Sequence, residues 1–414
     1  MASICEDGLH QLSLNLHPNE ALGLLTVQND ALLEAHGWEF ALWAVLDEGK
    51  IHDCVAIIGH GRGAALEEGW EIDRLYAIPT GDDATTEDAE AITRHGGWVY
   101  MLGSHFGSKR GPLQPKRAFV ARFRESEVTH ATREPAVEVE VSRRSFVLHR
   151  LINDALKVSG PRTIPLGPKS YEAYIEATRR RGTEKRKKWE GLVHDDDLPL
   201  NFEGAAFRAD GSLLLGLRFP VAVDGRPILV ELEGIERLFE SGDRLPEIKG
   251  FWVVDAVGRN GEMAGVRDLA IVGDELHLVT GNVDSREGQS VLTQDYPGGR
   301  DTIATHFRCS IPPNRHPGPL ESEFVREFPT LPRVEGIANS RRRTLFLRHR
   351  RGRGRPPPTH PHPSRLNLLR PGQGLSSTPR QRPRQRRCSL PMLHCKFTSR
   401  VPQGFRCDSP REEP

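Results

Sequence analysis

Four segments place an ionisable residue before one or two small residues, an apolar pair, a turn and a short apolar run. They are Glu90-Ala91-Ile92-Thr93 before Trp98–Leu102 and Glu203-Gly204-Ala205-Ala206 before Leu213–Leu217. The third and fourth are Arg267-Asp268-Leu269-Ala270 before Leu276–Val279, and Glu335-Gly336-Ile337-Ala338. Leu42-Trp43-Ala44-Val45 with Asp47-Glu48-Gly49 is a weaker fifth echo. If the four ionisable residues met, three carboxylates around one guanidinium would form a fixed charge ring. With a water-filled pocket beside them, Glu90, Glu203 and Glu335 would hold a divalent cation, Ca²⁺ or Mg²⁺. The competing reading makes each Glu a strand-start residue that faces solvent or pairs with a nearby Arg. A second group, Ser104-His105 with Lys109, Arg110 and Arg117, offers cations and an imidazole to a phosphate or carboxylate, or forms an ordinary solvated turn.

The elements that must position these residues read as strands. Apolar segments of five to eight residues recur between Gly, Asp and Pro: Phe40–Leu46, Cys54–Ile58, Trp98–Leu102, Arg117–Phe123, Ser212–Leu217, Ile228–Glu233, Gly250–Asp255, Leu269–Val272 and Glu275–Val279. Asp210-Gly211 and Gly273-Asp274 mark turns between them. The exception is Ser142–Glu190, where Phe146, Leu148, Leu151, Ile152, Ala155 and Leu156 share a helical face. Tyr171, Tyr174, Ile175 and Thr178 predict a second helix, which runs into the basic stretch Arg179–Lys188. That stretch is read as a solvated helix face ahead of a nucleic-acid patch.

Short strands repeated radially around a shared hub are the pattern of propeller blades. The expected fold is therefore all-β and β-propeller-like over residues 1–340, with a helical insertion at 142–190. The Glu90-to-Glu203 interval fits one blade with an insert or two blades. Residues 341–414 hold 19 Lys and Arg against 3 Asp and Glu, whereas the preceding 340 hold 38 against 53. The basic, Pro-rich segment reads as a disordered tail, and the abrupt switch near Ala338 also fits a shifted reading frame. An acidic body argues against a broad nucleic-acid face.

Several motifs resemble the uncharacterised bacterial family known as domain of unknown function 3616. They are Glu87–Thr93 with Leu102–His105 and Lys109-Arg110-Gly111, Asn201–Gly204 with Leu215–Pro220, and Val266–Ala270 with Thr280-Gly281-Asn282. The match is clearest over residues 80–308. The resemblance implies a β-propeller loosely similar to the esterase-like phytase group, and it adds Arg218 to the ligand-binding set of Glu90, Glu203, Arg267, His105 and Arg110. By that analogy the channel binds a small ligand or divalent cation and hydrolyses a phosphate or carboxylic ester, with Arg267 and His105 stabilising anionic oxygens. The alternative is a non-catalytic scaffold whose faces and insertion dock a protein partner.

Other signals are weaker. Gly59–Ala64 matches a dinucleotide fingerprint but lacks the helix that must follow it. His194 with Asp195, Asp196 and Asp197 reads as a charged linker ahead of a cation site, and Asn282 with Asp284 as a turn. Cys388, His394, Cys395 and Cys407 lack zinc-pair spacing. The start, Met1–Glu20, has no signal-peptide character, no run of 18 apolar residues occurs, and the cysteines are sparse. A cytoplasmic protein without a membrane segment is expected.

Overall fold

The structure is a computed structural model. It describes residues 3–4, 9–16, 20–47, 49–65, 68–81, 86–130, 136–257, 261–284, 290–329, 334–340, 343–348 and 365–371. The side chains of 3–15, 81, 339–340, 343–348 and 365–371 are not among those described. The chain divides into Met1–Gly372 and Gln373–Pro414, and only the first holds described residues.

Two strands, β1 (Ser3–Ile4) and β2 (Leu9–Asn15), precede the first blade. Blade I is β3 (Ala21–Thr26), β4 (Trp38–Leu46), β5 (Val55–Gly61) and β6 (Trp70–Leu75). β7 (Ala77–Gly81) crosses to the next sheet, blade II, formed by β8 (Ala89–His95), β9 (Trp98–Gly103), β10 (Val120–Arg124) and β11 (Val137–Ser142). Blade III is β12 (Asn201–Phe207), β13 (Leu213–Phe219), β14 (Ile228–Glu233) and β15 (Glu247–Val254). Blade IV is β16 (Gly265–Val272), β17 (Glu275–Gly281), β18 (Thr305–Ser310) and, after β19 (Pro319–Leu320) has joined β15, β20 (Glu323–Glu327). Blade V takes β21 (Val334–Ser340), β22 (Arg343–Arg348) and β23 (Arg365–Pro371) from the C-terminal side, and β2 as its outer strand, with β1 beside it.

Among the described residues the strands thus form a β-propeller of five blades, with the first and last in contact. Each innermost strand touches the next: β3 to β8, β8 to β12, β12 to β16, β16 to β21, and β21 back to β3. Apolar clusters fill every gap. Trp43 and Ile57 meet Ile92 and Phe123 between blades I and II; Tyr100 and Leu102 meet Phe202 and Leu215 between II and III. Leu214 and Trp252 meet Leu269 and Phe307, Val279 meets Val334 and Ile337, and Ala338 meets Leu24 and Leu42. Covered on both faces, β13 is buried along its whole length, which explains a run of Leu where one-sided strands would alternate. Each such large apolar side chain contributes about 1.5–3 kcal/mol on burial.

Described strands extend past the expected propeller boundary at residue 340: β22 pairs with β21, and β23 pairs with both β22 and β2. The physical reason is that Thr344–Leu347 and Leu366–Leu369 supply short β-prone cores between arginines, and β21 otherwise has an unpaired edge. Described structure in the propeller therefore continues to Pro371, beyond 340; residues 372–414, with Cys388, His394, Cys395 and Cys407, lie outside the described residues. The fifth echo at Leu42–Val45 falls in β4, the second strand of blade I, and is not a blade start.

The insertion forms as expected. A helix, Val147–Ser159, follows β11. A second runs from Pro168–Ser170 through a π-helical stretch, Tyr171–Glu176, into Ala177–Glu184. It occupies the Glu90-to-Glu203 interval, so those residues belong to neighbouring blades. Gly59–Ala64 ends β5 and turns towards β6, with no helix among the described residues between them. Among the described residues no helix is long and apolar enough to cross a membrane; Cys54 and Cys309 are buried free thiols.

Candidate functional site

Every innermost strand carries a register shift at the same place. In blade II, Ala89 pairs with Gly103 and Ala91 with Leu102, leaving Glu90 unopposed. The same shift skips Glu203 between Phe202 and Gly204, Arg267 between Val266 and Asp268, and Glu335 between Val334 and Gly336. In blade I it spans Leu22-Gly23 between Ala21 and Leu24. A β-bulge adds a residue to one strand and re-aims its side chain. Here five bulges turn five side chains towards the hub. Where the residue that follows is glycine, in blades I and III, the reason is steric. A Cβ on Gly204 would stand 2.9 Å from the Leu269 nitrogen, and one on Gly23 would stand 2.9 Å from the Glu90 carbonyl oxygen.

The five residues line one funnel of about 340 Å³. Arg218 joins them from β13, Asn201 from the start of β12, and Asp88 from just before β8. Glu20, Asp47, Asn282, Asp284 and Ser104 complete the rim with Phe106–Lys109 and Arg117. The predicted residues Glu90, Glu203, Arg267, Glu335 and Arg218 therefore meet. Arg110 is exposed and does not line the funnel. His105 is buried below the rim, its Nδ1 3.0 Å from the Gly103 carbonyl and its ring 4.6 Å from that of Phe202. Burial lowers its pKa to about 4, so it is neutral at pH 7 and unsuited to anion binding.

The charges form a chain. Arg218 Nη1 donates to Glu203 Oε1 at 2.7 Å, and its Nε and Nη2 donate to the Asn282 carbonyl and Oδ1 at 3.1 and 3.2 Å. Arg267 Nη1 lies 3.3 Å from Glu203 Oε2, and its Nη2 donates to Glu335 Oε1. Arg267 thus stands between Glu203 and Glu335. Desolvation pulls the Arg218 pKa down, but Glu203, Asp284 and Glu335 together raise it. On the opposite wall Arg117 Nη1 and Ser104 Oγ both donate to Asp88 Oδ2, at 2.9 and 2.5 Å. Beneath the ring Asp268 accepts from the Ile337 and Leu269 backbone N–H groups, both at 2.8 Å, and burial raises its pKa.

Glu90 differs from its counterparts. Desolvation pushes its pKa well above the usual carboxylate range, and the Glu203, Asp88, Asp47 and Glu335 carboxylates push it further. It remains partly exposed to the funnel. Asn201 Oδ1, also in the lining, is a buried acceptor with no hydrogen-bond partner. Such a group is costly unless something supplies a donor.

The insertion packs on the rim. Tyr174 and Ile175 join Phe106, Leu113, Phe219, Val283 and Leu292 in one cluster. Tyr174 OH donates to the Lys109 carbonyl at 3.1 Å, and the Leu113 N–H donates to Thr178 Oγ1 at 2.9 Å. The second helix presses so near that a Cβ on Gly111 would overlap the Ala173 carbonyl oxygen, at 1.9 Å.

Among the described residues, the only three potential metal ligands whose donor atoms lie within 4.8 Å of one another are His194, Asp196 and Asp197. Cations of the chain already serve two of them. Lys157 donates to Asp196 at 2.6 Å and Asp197 at 3.0 Å, and Arg150 donates to both Asp197 oxygens at 2.8 and 2.9 Å. Burial acts to raise the Asp197 pKa, but His149, the His194 N–H and Arg150 hold it well below the usual range. This cluster ties the insertion to blade III. Glu90, Glu203 and Glu335 do not converge that tightly.

Sequence reasoning did not place Leu22, Glu20, Asp47, Asp88 or Asn201 in the site. Leu22 breaks the ionisable pattern, though Gly23-Leu24-Leu25 keeps the small-then-apolar signature.

No protein-family model matches the chain, and no curated protein matches it. Among solved structures, the chain is similar to an α-L-arabinofuranosidase from Clostridium thermocellum, with 9% identity, a TM-score of 0.36, and 80% of this chain and 82% of that one covered. It is also similar to a GH43_1 enzyme from Xanthomonas citri, with 11% identity, a TM-score of 0.35, and 86% and 89% covered. The WD40 propeller domain of Doa1 aligns with 9% identity, a TM-score of 0.29, and 86% and 95% covered.

Proposed function

We propose that the funnel is a binding site for a small polar ligand, with Glu90 as its central contact. The observation that carries this reading is the Glu90 carboxyl. It faces an open cavity, and the strongest charges acting on it are other carboxylates. A carboxyl so placed keeps a proton or exchanges it for a cation. Asn201 Oδ1 offers a second acceptor, so a ligand rich in hydroxyl or ammonium donors fits best. A divalent cation, Ca²⁺ or Mg²⁺, held by Glu90 and reaching the other acids through water, is the metal form of the same proposal.

In its hydrolytic form, the ligand is a phosphate or carboxylic ester. Protonated Glu90 gives its proton to the leaving oxygen as the ester bond breaks. Water adds its OH to the acyl or phosphoryl group, and the remaining proton restores Glu90. Arg267 and Arg218, fixed by Glu203, supply donors for the developing negative charge.

The test pairs a phosphatase and esterase panel, run with Ca²⁺, Mg²⁺ or Mn²⁺, with melting curves. One of these ions raises the melting temperature of the native chain and leaves Glu90→Gln unmoved, because a ligand that binds only the folded state stabilises it. Absence of turnover removes the hydrolytic form. Absence of any metal shift removes the metal form. If a library of polyols and amines also gives no shift, the funnel is not a ligand site.

A further inference from the structure

A second cavity, of about 660 Å³, lies between the insertion and blade II. Lys116, Arg143, Arg144, Arg181, Lys187 and Lys188 line it, and no acidic residue among the described residues does. Three elements bring them together: the loop between β9 and β10, the corner after β11, and the end of the second insertion helix. Neutral groups position two of the guanidiniums. Arg144 Nη2 donates to the Glu240 and Gly242 carbonyls at 2.8 and 3.3 Å, and Arg181 Nη1 donates to Gln114 Oε1 at 3.2 Å. Carbonyl and amide partners orient these groups without cancelling their charge. Lys187 and Lys188 are exposed beside Trp189, whose ring packs edge-on against Phe146 at 5.0 Å. Lys116 also pairs with Glu87.

We propose that this groove binds a small polyanion carrying several phosphate groups. Six converging cations in a concave site match clustered negative charge, since charge-assisted bonds to phosphate oxygens are strong and directional. The anion is small because the groove is local. Around it lies a body with 53 acidic against 38 basic residues over positions 1–340. An extended nucleic acid would leave the basic patch and meet like charge. The groove is separate from the funnel, so the two readings stand or fall independently.

Titration calorimetry of the full chain with sodium tripolyphosphate tests this. At low salt the native chain shows saturable one-to-one binding that weakens as salt rises. The double variant Lys187→Ala/Lys188→Ala, and separately Arg181→Gln, each weaken it by about tenfold or more. Arg226→Gln, which changes a partly exposed arginine outside the groove, leaves it unchanged. Unaltered melting temperatures show that the exposed-lysine variant is folded. Lack of saturable heat at low salt, equal affinity in the groove variants, or tighter binding of a single-stranded oligonucleotide than of tripolyphosphate would each overturn the proposal.

Discussion

Glu90 and His105 illustrate how one surrounding can shift two groups in opposite directions. Burial raises the pKa of an acid and lowers that of an imidazole, because both then disfavour the charged form. For Glu90 the folded-state pKa exceeds the unfolded value, so the folded chain binds more protons just above the ordinary Glu range. Stability from this group is fully present below that range and is lost as pH rises through the folded pKa. Glu90→Gln removes the penalty. Its melting temperature at neutral pH exceeds that of the native chain, and the difference shrinks as pH falls to 4.5, in melts scanned across pH. His105 acts in the other direction: its folded pKa lies near 4, below the ordinary 6.5. Stability is lost as pH falls from 6.5 towards 4, on the order of 3 kcal/mol. The buried His306, lowered to about 3, adds to that loss. A His105→Gln variant whose stability fell as steeply as that of the native chain between pH 6.5 and 4 would contradict the assignment. The sequence showed Glu90 as ionisable but could not show that its neighbours at the hub are acids, because Asp47, Asp88 and Glu203 come from separate strands and loops.

At the level of elements, the repeated unit is an inner strand with one extra residue, followed by Gly or Ala in four blades and by Asp268 in blade IV. Its charge was legible where the extra residue is Glu or Arg, and illegible in blade I, where Leu22 holds the position. The helical insertion was legible throughout, because a helix writes its apolar face into local spacing. The strands β22 and β23 were not, because arginines and prolines around them resemble a solvated tail, and their pairing partners include β2 at the far end of the chain. Two substitutions probe these units. Gly204→Ala sets a methyl 2.9 Å from the Leu269 nitrogen and 3.0 Å from the Asp268 Cα. Blades III and IV must then part, at about 1–3 kcal/mol, read as a lower denaturation midpoint. Asp197→Ala leaves Arg150 and Lys157 without the buried carboxylate they share. The expected loss is about 3–5 kcal/mol, with faster amide exchange over Val147–Ser159 than in the blades.

For the whole molecule, the decisive contact is the pairing of β23 with β2 over seven residue pairs, from Leu9 with Pro371 to Asn15 with Arg365. Without β22 and β23, β21 presents a free edge. A chain ending at residue 340 therefore self-associates or fails to melt cooperatively, whereas one ending at 372 melts as the full chain does. Light scattering and calorimetry on the two truncations distinguish these outcomes. Had the 340-residue chain been monomeric and equally stable, the fifth blade would be dispensable.

Because that blade draws strands from both ends of the polypeptide, its assembly imposes an order in time. A nascent chain emerging from the ribosome can complete blades II, III and IV in sequence, but Leu9–Asn15 must wait for a partner made more than 300 positions later. Until then the growing protein is an arc with two sticky margins, which is the period when chaperones would matter most. A circular permutant cut between β6 and β7, with the old termini joined by a linker, would make the fifth blade from neighbouring stretches of chain and shorten that wait.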